Sequence, residues 1–357
     1  MISKSFSNQT ILVTGGAGYI GSHTCLELLT NNCKIVVIDN LSNSSIASLE
    51  RVSVLCNKTF STNPVDDADI VFYEGSINDS SILQNIFTEF HIDAVVHFAG
   101  LKAVAESKNK PIEYYMNNVG GSIVLFQEMA KAGVKNIVFS SSATVYGSPN
   151  KMPITEEFNT GDTVNPYGQT KYCIENILKD ISNADPYWNV CILRYFNPAG
   201  SHQSGLIGEN PKGIPNNLMP YISQVAVGKI NKLKIFGNAY PTIDGTGVRD
   251  YIHVVDLAKG HISALNYITT SQNPNFSVFN LGTGKGTSVL ELLAAFEKIN
   301  DITVPYEFVG ERSGDIAECW ASTKKAKSIL EWEAKYTINE MCKDSWRWQS
   351  KNPNGYE

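Results

Sequence analysis

Short apolar runs rich in β-branched residues recur through the first half of the chain, at residues 11–13, 35–38, 70–73, 94–98, 137–140 and 190–193. Most are separated by segments compatible with a helix. Runs of this kind are typical of parallel strands buried on both faces. The pattern therefore predicts an α/β fold: a Rossmann-like, doubly wound parallel sheet with helices on both faces.

The second half of the chain has a different rhythm. After Asn197, loops that carry glycine and proline continue to about residue 247, and apolar periodicity at 289–299 and 326–330 indicates helices. We expect a Rossmann domain over residues 1–197, with later segments near 250–285 returning to it. Residues 198–357 should mainly form a smaller, interleaved α/β substrate-binding domain.

Composition excludes some classes of function. The chain has 357 residues, 43% of them hydrophobic and 18% charged, with a net charge of -6, which disfavours a nucleic-acid binder. The seven cysteines are scattered without a C-x-x-C pair, so neither a disulfide framework nor a metal site is expected. Residues 1–10 are polar, and no apolar run reaches the ~18 residues of a membrane span. We expect a cytoplasmic protein without a membrane partner.

A glycine-rich turn, GGAGYIG at residues 15–21, follows the first predicted strand and precedes a helical pattern. Gly15, Gly18 and Gly21 allow the backbone to approach a pyrophosphate, which then binds the N–H groups at the helix start. Asp39 ends the second predicted strand, where its carboxylate can accept hydrogen bonds from ribose hydroxyls and repel the 2′-phosphate of NADP. The alternative is a turn that only closes a corner, but the four features together predict NAD.

Tyr167 and Lys171 follow Pro166 at a spacing that places both on one face of a helix. Taken alone, this spacing is as compatible with an ordinary surface pair as with a catalytic pair. However, the fifth predicted strand runs into a hydroxyl cluster at residues 140–142, at the sheet edge where such folds bind ligands. A nearby cation can lower the pKa of a phenol towards neutrality, so Tyr167 is a candidate general base assisted by Lys171.

Five further runs complete a pattern: HFAGLK at 97–102, YYMNNV at 114–119, RYFNP at 194–198, NNLMP at 216–220 and DGTGVRDYIH at 244–253. With the glycine turn and the Tyr–Lys pair, they resemble UDP-glucose 4-epimerases of the extended short-chain dehydrogenase/reductase superfamily. The similarity covers nearly the whole chain.

The resemblance implies which residues form the site. Bound NAD would be held by Gly15, Gly18, Tyr19, Ile20, Gly21, Asp39, Asn40, Ser76, Ile77, Phe98, Ala99, Gly100, Lys102, Asn118, Ser140, Tyr167, Lys171 and Tyr195. The UDP-hexose substrate would be held by Lys102, Ser142, Tyr167, Asn197, Asn217, Leu218, Phe236, Arg249, Arg312, Asp315 and Cys319. Two arginines suit a pyrophosphate, and an aromatic ring can pack on uracil.

One position departs from the family pattern. The family usually has an aspartate that meets the adenine amino group where this chain has Ser76. A serine oxygen can still accept a hydrogen bond, so we expect altered adenine affinity but retained NAD binding.

The resemblance also implies an activity: reversible C4 epimerisation of UDP-glucose and UDP-galactose through a 4-keto intermediate, as in galactose metabolism. Tyr167 would take the O4′ proton, Ser142 would share the hydrogen bond and Lys171 would balance the charge. Members of the family with tyrosine at the position of Cys319 resemble glucose/galactose specialists, whereas members with a small residue there handle both sugar types. Because Cys319 is small, we also expect turnover of UDP-GlcNAc and UDP-GalNAc. Family analogy suggests a homodimer.

Three alternatives stay open. The chain resembles other NAD-dependent nucleotide-sugar epimerases of the superfamily as well. A 4,6-dehydratase would carry an Asp-Glu pair where this chain has Ala143 and Thr144. A non-catalytic NAD sensor usually lacks the tyrosine or lysine, and this chain has Ser142, Tyr167 and Lys171.

Overall fold

A computed structural model of the protein describes residues 7–64, 67–271, 274–312 and 314–357. Numbered in chain order, the strands are β1 (Thr10–Thr14), β2 (Lys34–Asp39), β3 (Phe60–Ser61), β4 (Ile70–Glu74), β5 (Ala94–His97), β6 (Asn136–Ser142), β7 (Asn189–Tyr195), β8 (Asn197–Ala199), β9 (Leu233–Phe236), β10 (Val248–Arg249), β11 (Tyr251–His253), β12 (Phe276–Leu281), β13 (Thr287–Ser288), β14 (Tyr306–Val309) and β15 (Glu318–Cys319).

The helices are α1 (Tyr19–Thr30), α2 (Ala47–Cys56), α3 (Ser80–Glu89), α4 (Val104–Asn109), α5 (Pro111–Tyr114), α6 (Gly121–Ala132), α7 (Pro166–Ala184), α8 (Leu218–Ala226), α9 (Val254–Thr270), α10 (Val289–Asn300), α11 (Lys324–Ile329) and α12 (Ile338–Lys351). A π-helical turn, Tyr115–Gly120, joins α5 to α6, and a 3-10 helix, Ala143–Tyr146, follows β6 directly.

The main sheet has the strand order β12-β7-β6-β5-β1-β2-β4-β3, and all its pairs are parallel. The predicted doubly wound fold is confirmed. The chain builds outward from β1 to β2 and β4, then crosses to the opposite side of β1 to form β5. The order therefore reverses between β1 and β5, and ligands of open α/β sheets bind at the carboxyl ends of the strands beside such a reversal.

Alternation along the central strands explains the apolar runs in the sequence. In β1, Ile11 and Val13 pack in the hydrophobic cluster on one face of the sheet, whereas Leu12 packs in the cluster on the other face. Residues of β2 divide between the same two clusters. Because both faces are covered, successive residues are all apolar, as parallel strands require.

The second half of the chain forms smaller pieces around the carboxyl edge of this sheet. Strand β8 pairs with β11, β9 with β14, and β10 lies between β13 and β15. A separate core lies among α8, α10 and α12. The helices predicted at 289–299 and 326–330 correspond to α10 and α11, while β12 returns to the main sheet beside β7. The assignment of NAD and UDP-sugar binding to separate domains stays a prediction.

Two features are absent from the described residues. In the ranges given above, no helix is long and apolar enough to cross a membrane. Over the same ranges, no group of three or more His, Cys, Asp and Glu side chains is arranged to hold a metal ion.

Candidate active site

The glycine turn lies between the end of β1 and the start of α1. Gly15 has a left-handed φ of 71°, and a Cβ there would lie 2.8 Å from the Ala99 nitrogen. A Cβ on Gly21 would lie 2.4 Å from the Gly15 oxygen. Gly18 precedes α1, and no side chain caps its first turn. The backbone therefore forms a tight cradle at an open helix start, a geometry that suits a dinucleotide pyrophosphate.

The two residues after Gly18 contribute to this cradle through their backbone. The Tyr19 hydroxyl donates a hydrogen bond of 2.6 Å to the Gly200 oxygen, and the Ile20 side chain packs against the hydrophobic core. Both side chains are thus engaged within the protein. Their N–H groups belong to the first turn of α1, whose donors have no intrahelical partners.

Asp39 ends β2 next to the glycine turn and is 8% exposed. Its Oδ2 accepts a hydrogen bond of 3.0 Å from the Ala17 nitrogen, and its Oδ1 accepts bonds from the Leu41 nitrogen and the Ser44 hydroxyl. Burial raises the pKa of this carboxyl, and the three hydrogen bonds oppose that effect. A carboxylate offers about four acceptor positions, so one on Oδ2 remains for a ribose hydroxyl.

The neighbouring positions of the predicted adenosine pocket are Asn40 and Ser76, whose side-chain oxygens already accept hydrogen bonds within the protein. Asn40 is exposed and its Oδ1 accepts from the Ser42 nitrogen. The Ser76 oxygen accepts hydrogen bonds of 3.2 Å from both the backbone nitrogen and the side-chain amide of Asn78. The expectation that Ser76 accepts from the adenine amino group therefore does not fit this structure, because both acceptor positions are already used. What Ser76 can offer is a hydrogen-bond donor.

Asn118 holds the loop that follows β5. Its Oδ1 accepts from the Leu101 nitrogen at 2.7 Å, and its amide donates to the Leu101 oxygen and to the Thr170 hydroxyl of α7. Asn118 is 1% exposed, so its observed role is to fasten this loop to α7. The other predicted cofactor residues of this region are also held by contacts within the protein. Ile77 is buried against Gly121, and Phe98 contacts the His261 ring. The Ala99 nitrogen donates to the Thr14 oxygen, and Gly100 lies against the Asn118 side chain.

Lys171 lies on the buried face of α7 and is 5% exposed. Its Nζ donates a hydrogen bond of 2.6 Å to the Ser140 oxygen and lies 4.8 Å from the centre of the Phe139 ring. Burial lowers the pKa of Lys171 to about 8, although the nearby Glu175 carboxylate acts in the opposite direction. The ammonium is thus held at the end of β6, beside the hydroxyl cluster.

Tyr195 ends β7 beside this group. The His261 Nδ1 donates to the Leu257 oxygen, which leaves Nε2 as an acceptor, so the Tyr195 hydroxyl donates to His261 Nε2. Burial raises the pKa of Tyr195, and a hydrogen bond from Ser140 opposes this. Tyr195 is therefore a neutral phenol fixed in direction by a histidine that sequence reasoning did not identify.

Tyr167 occupies the first turn of α7. Asn165 caps this helix by accepting a hydrogen bond of 2.8 Å from the Gly168 nitrogen, and Pro166 takes the first helical position. Burial raises the pKa of the Tyr167 phenol, and a hydrogen bond with Ser142 opposes this. Lys171 is not among the groups that lower this pKa, and the expectation that Lys171 and a positive nicotinamide together bring it towards neutrality stays a prediction. The buried phenol loses hydration, while the Lys171 ammonium bonds to a backbone oxygen.

The predicted substrate residues of the second half approach one another. Arg249 of β10 is paired in register with Cys319 of β15. The Arg312 guanidinium lies 4.6 Å from the centre of the Phe236 ring and donates to Asp315 at 2.9 Å. Both arginines lower the pKa of the same buried phenol, Tyr251, which burial raises to about 12. Two cations and an aromatic ring therefore lie around one region.

Two further predicted residues contact a carboxylate that no sequence motif marks. Glu209 is 9% exposed, and it accepts a hydrogen bond of 2.8 Å from the Asn217 amide and pairs with Lys102 at 3.6 Å. Leu218 follows Asn217 as the first residue of α8. The charged partner of Glu209, Lys102, comes from a distant segment of the chain. Asn197 lies in β8, where its nitrogen bonds to the Asp250 oxygen.

Comparison with known proteins agrees with this geometry. A model of the NAD dependent epimerase/dehydratase family matches residues 11–282. The chain belongs to this family. Among its members, the chain is 58% identical to the UDP-glucose 4-epimerase of Pasteurella multocida, over 98% of this chain and 99% of the relative. It is also 58% identical to the UDP-glucose 4-epimerase of Bacillus subtilis, with the same coverage.

A solved structure of a NAD dependent epimerase/dehydratase family member is similar over the same span. The UDP-glucose 4-epimerase from Bifidobacterium longum, in complex with NAD+ and UDP, superposes with a TM-score of 0.91. It is 50% identical, and the match covers 97% of this chain and 100% of that chain. The fold and the family are thereby established over nearly the whole chain.

Proposed function

We propose that this protein is an NAD-dependent UDP-glucose 4-epimerase, which interconverts UDP-glucose and UDP-galactose by inverting C4′ of the sugar. One observation carries the proposal: the glycine cradle after β1 and the Ser142–Tyr167–Lys171 group after β6 lie on the same edge of one parallel sheet. Only β5 separates these strands, so the two parts are about 10 Å apart along the sheet. The relatives' activity supports the same conclusion.

The residues of this chain would divide the work. The cradle and Asp39 hold the dinucleotide, and the arginines with Phe236 hold the UDP. Tyr167 removes the O4′ proton and later returns it, Ser142 hydrogen-bonds at the same point, and Lys171 supplies positive charge nearby. When bound, NAD supplies a reversible hydride acceptor for C4′, so the reaction has no net redox change.

The dehydratase alternative is less well supported. Ala143 and Thr144 begin the 3-10 helix after β6, and Thr144 directs its hydroxyl to Ser142. Neither residue can serve as the additional acid and base that elimination of the C6 hydroxyl requires. The sensor alternative lacks support as well, because Tyr167 and Lys171 both lie at the end of β6, where Tyr167 hydrogen-bonds with Ser142 and Lys171 with the Ser140 backbone oxygen.

The test of the proposed function follows the cofactor. We expect NAD to copurify with the protein and to be released by acid without having been consumed during turnover. Release of NADP, or formation of NADH in proportion to product, would instead indicate an ordinary dehydrogenase.

We further propose that the enzyme accepts UDP-GlcNAc and UDP-GalNAc because Cys319 is small. Its register with Arg249 supports a position beside the substrate, although Cys319 also packs in a cluster with Val145 and Phe196. Cys319→Tyr should suppress UDP-GalNAc turnover by about 5- to 150-fold more than UDP-galactose turnover, whereas Cys319→Ala should change neither. Equal loss of both activities in Cys319→Tyr would reject this assignment.

We also propose a homodimer. Exposed apolar side chains cluster on α5, the π-helical turn and α6: Ile112 is 78% exposed, Met116 68% and Ile123 48%. A second copy of the same face would cover them. Met116→Glu should convert a dimer to a monomer in light scattering, whereas Ile243→Glu, at another exposed site, should not. A wild-type monomer would contradict the proposal. The cytoplasmic location stays a prediction from composition.

A further inference from the structure

The hydroxyl oxygen of Ser142 accepts two hydrogen bonds from the same residue. Its oxygen accepts a hydrogen bond of 3.2 Å from the Thr144 nitrogen and a second bond of 3.0 Å from the Thr144 hydroxyl. A serine oxygen has two acceptor positions and one hydrogen to donate. A single residue, Thr144, therefore occupies both acceptor positions.

The local fold holds Thr144 in this place. Ser142 has extended backbone angles and caps the 3-10 helix, which turns the Thr144 nitrogen back towards it. On the other side, Gly168 in the first turn of α7 packs so closely that a Cβ there would lie 3.2 Å from the Thr144 oxygen and 3.3 Å from its hydroxyl oxygen. Thr144 is thus wedged between Ser142 and the helix turn that carries Tyr167.

We infer that Thr144 is a positioning residue, which restricts Ser142 to donating its hydrogen towards Tyr167 or the sugar O4′. The inference rests on the proposed roles of Ser142 and Tyr167. It decides the path of the proton: the O4′–H bond breaks, the proton bonds to Oη of the ionised Tyr167 phenolate, and Ser142 keeps its own hydrogen throughout. A relay in which Ser142 first accepts a hydrogen bond from O4′ would require an acceptor position that Thr144 occupies.

A hydrogen bond with Ser142 lowers the pKa of Tyr167 against the effect of burial. Donation from Ser142 in this bond favours the ionised phenol. If Ser142 is released from Thr144, its hydrogen can turn elsewhere, and the pKa of Tyr167 should rise.

A change in the pH profile would report on few groups. Beside Tyr167 lie Lys171, one turn further along the same helix, and Tyr195 of β7 and Tyr114 of α5, whose pKa values burial and, to a smaller extent, the Tyr167 charge raise. Burial raises the pKa of both of these tyrosines above its ordinary value, so they stay neutral at moderate pH. Loss of the Thr144 hydroxyl leaves the Lys171 contact with Ser140 intact. A shift of the activity limb in a Thr144 variant can therefore be assigned to Tyr167.

The experiment compares purified variants with UDP-galactose as substrate across the pH range. Thr144→Val removes one of the two bonds to Ser142, so kcat should fall about 5-fold, the loss typical of one hydrogen bond. The KM should be unchanged, and the limb on which kcat rises with pH should move to higher pH. Thr144→Ser should restore both kcat and the profile. Thr163→Val is the matched control, because that hydroxyl bonds to Gln169 of the same helix but not to Ser142.

A double-mutant cycle separates positioning from general structure. In a Ser142→Ala background, Thr144→Val should cause no further loss. Multiplicative losses, or an unmoved pH profile in Thr144→Val, would overturn the inference even if Ser142→Ala is impaired. Full turnover in Ser142→Ala alone would reject the proposed role of Ser142, and this inference would fall with it.

Discussion

Two helices begin at the same edge of the main sheet, and they begin differently. α1 starts after Gly18 with no side-chain cap and no acidic residue in its first turn. α7 starts after Asn165, whose side chain caps the Gly168 nitrogen, and has Pro166 at its first position. The first helix start is left open for a ligand, whereas the second is satisfied by the protein itself.

The uncapped start of α1 is suited to binding an anion, and the capped start of α7 is suited to positioning a side chain. An open helix start offers N–H donors and a partial positive charge to an anion, and glycines keep side chains away from it. A capped start is rigid, and its first turn can hold a side chain such as Tyr167 in one place. One helix start is thus suited to binding an anion and the other to holding a side chain.

The first expected effect comes from closing the open start. Gly21→Ala places a Cβ 2.4 Å from the Gly15 oxygen and 2.7 Å from the Gly16 Cα, so the cradle must distort. We expect at least a tenfold loss of copurified NAD and a matching loss of activity, measured by acid release and by turnover. Gly310→Ala is the control, since nothing lies within 4 Å of its Cβ. Unchanged NAD content in Gly21→Ala would contradict the role of the cradle.

The capped start is tested through the side chain that it holds. Tyr167→Phe should lower kcat by the roughly 10²- to 10⁴-fold typical of general acid–base catalysis while leaving UDP binding intact. Tyr172→Phe removes another hydroxyl from the same helix and should have little effect. Near-normal turnover in Tyr167→Phe would exclude the proposed base.

A smaller effect concerns the stability cost of Lys171. Burial lowers its folded pKa to about 8, below the value near 10.5 of an unfolded lysine. Between these values the unfolded chain binds more protons, so stability should rise with pH over that window and the cost should be fully present below pH 8. The wild type should gain up to ~3 kcal/mol of unfolding free energy relative to Lys171→Met between pH 8 and 10.5. Denaturant titrations measure this, and a pH-independent difference would mean that the pKa of Lys171 is not lowered.

The smallest effect should come from the cap itself. Asn165→Ala leaves the Gly168 nitrogen without its partner and should cost about 1 kcal/mol of stability. Asn165→Asp retains an acceptor and should recover most of this loss, as monitored by thermal unfolding. If Asn165→Ala costs nothing, the contrast between the two helix starts loses its energetic basis.

Local pattern was sufficient for much of the fold. The central strands are buried on both faces and are therefore recognisable as apolar runs, and the glycine turn has a distinctive spacing. Strand β12 was not predicted as a strand. Its residues Phe276 and Val278 face one cluster and Phe279 and Leu281 the other. Its place beside β7 depends on pairing between residues 86 positions apart, as Phe276 and Val190 are.

The site was predictable where residue type decides its chemistry and less so where partners decide it. The Tyr–Lys spacing identified both residues, but the Ser140 oxygen that binds Lys171 is a backbone atom that no motif displays. The residue type of Ser76 indicates a hydrogen-bond acceptor, but its oxygen already accepts two bonds from Asn78, which the sequence does not display. Glu209 and His261 act through contacts made only in three dimensions.

The most direct test of the central claim is to incubate the purified protein with UDP-galactose, without added NAD, and to follow the nucleotide sugars. We predict that UDP-glucose forms until the two sugars reach equilibrium, with no net accumulation of NADH. The account would be contradicted if protein that carries NAD formed no UDP-glucose, or if a 4-keto-6-deoxy sugar formed in its place.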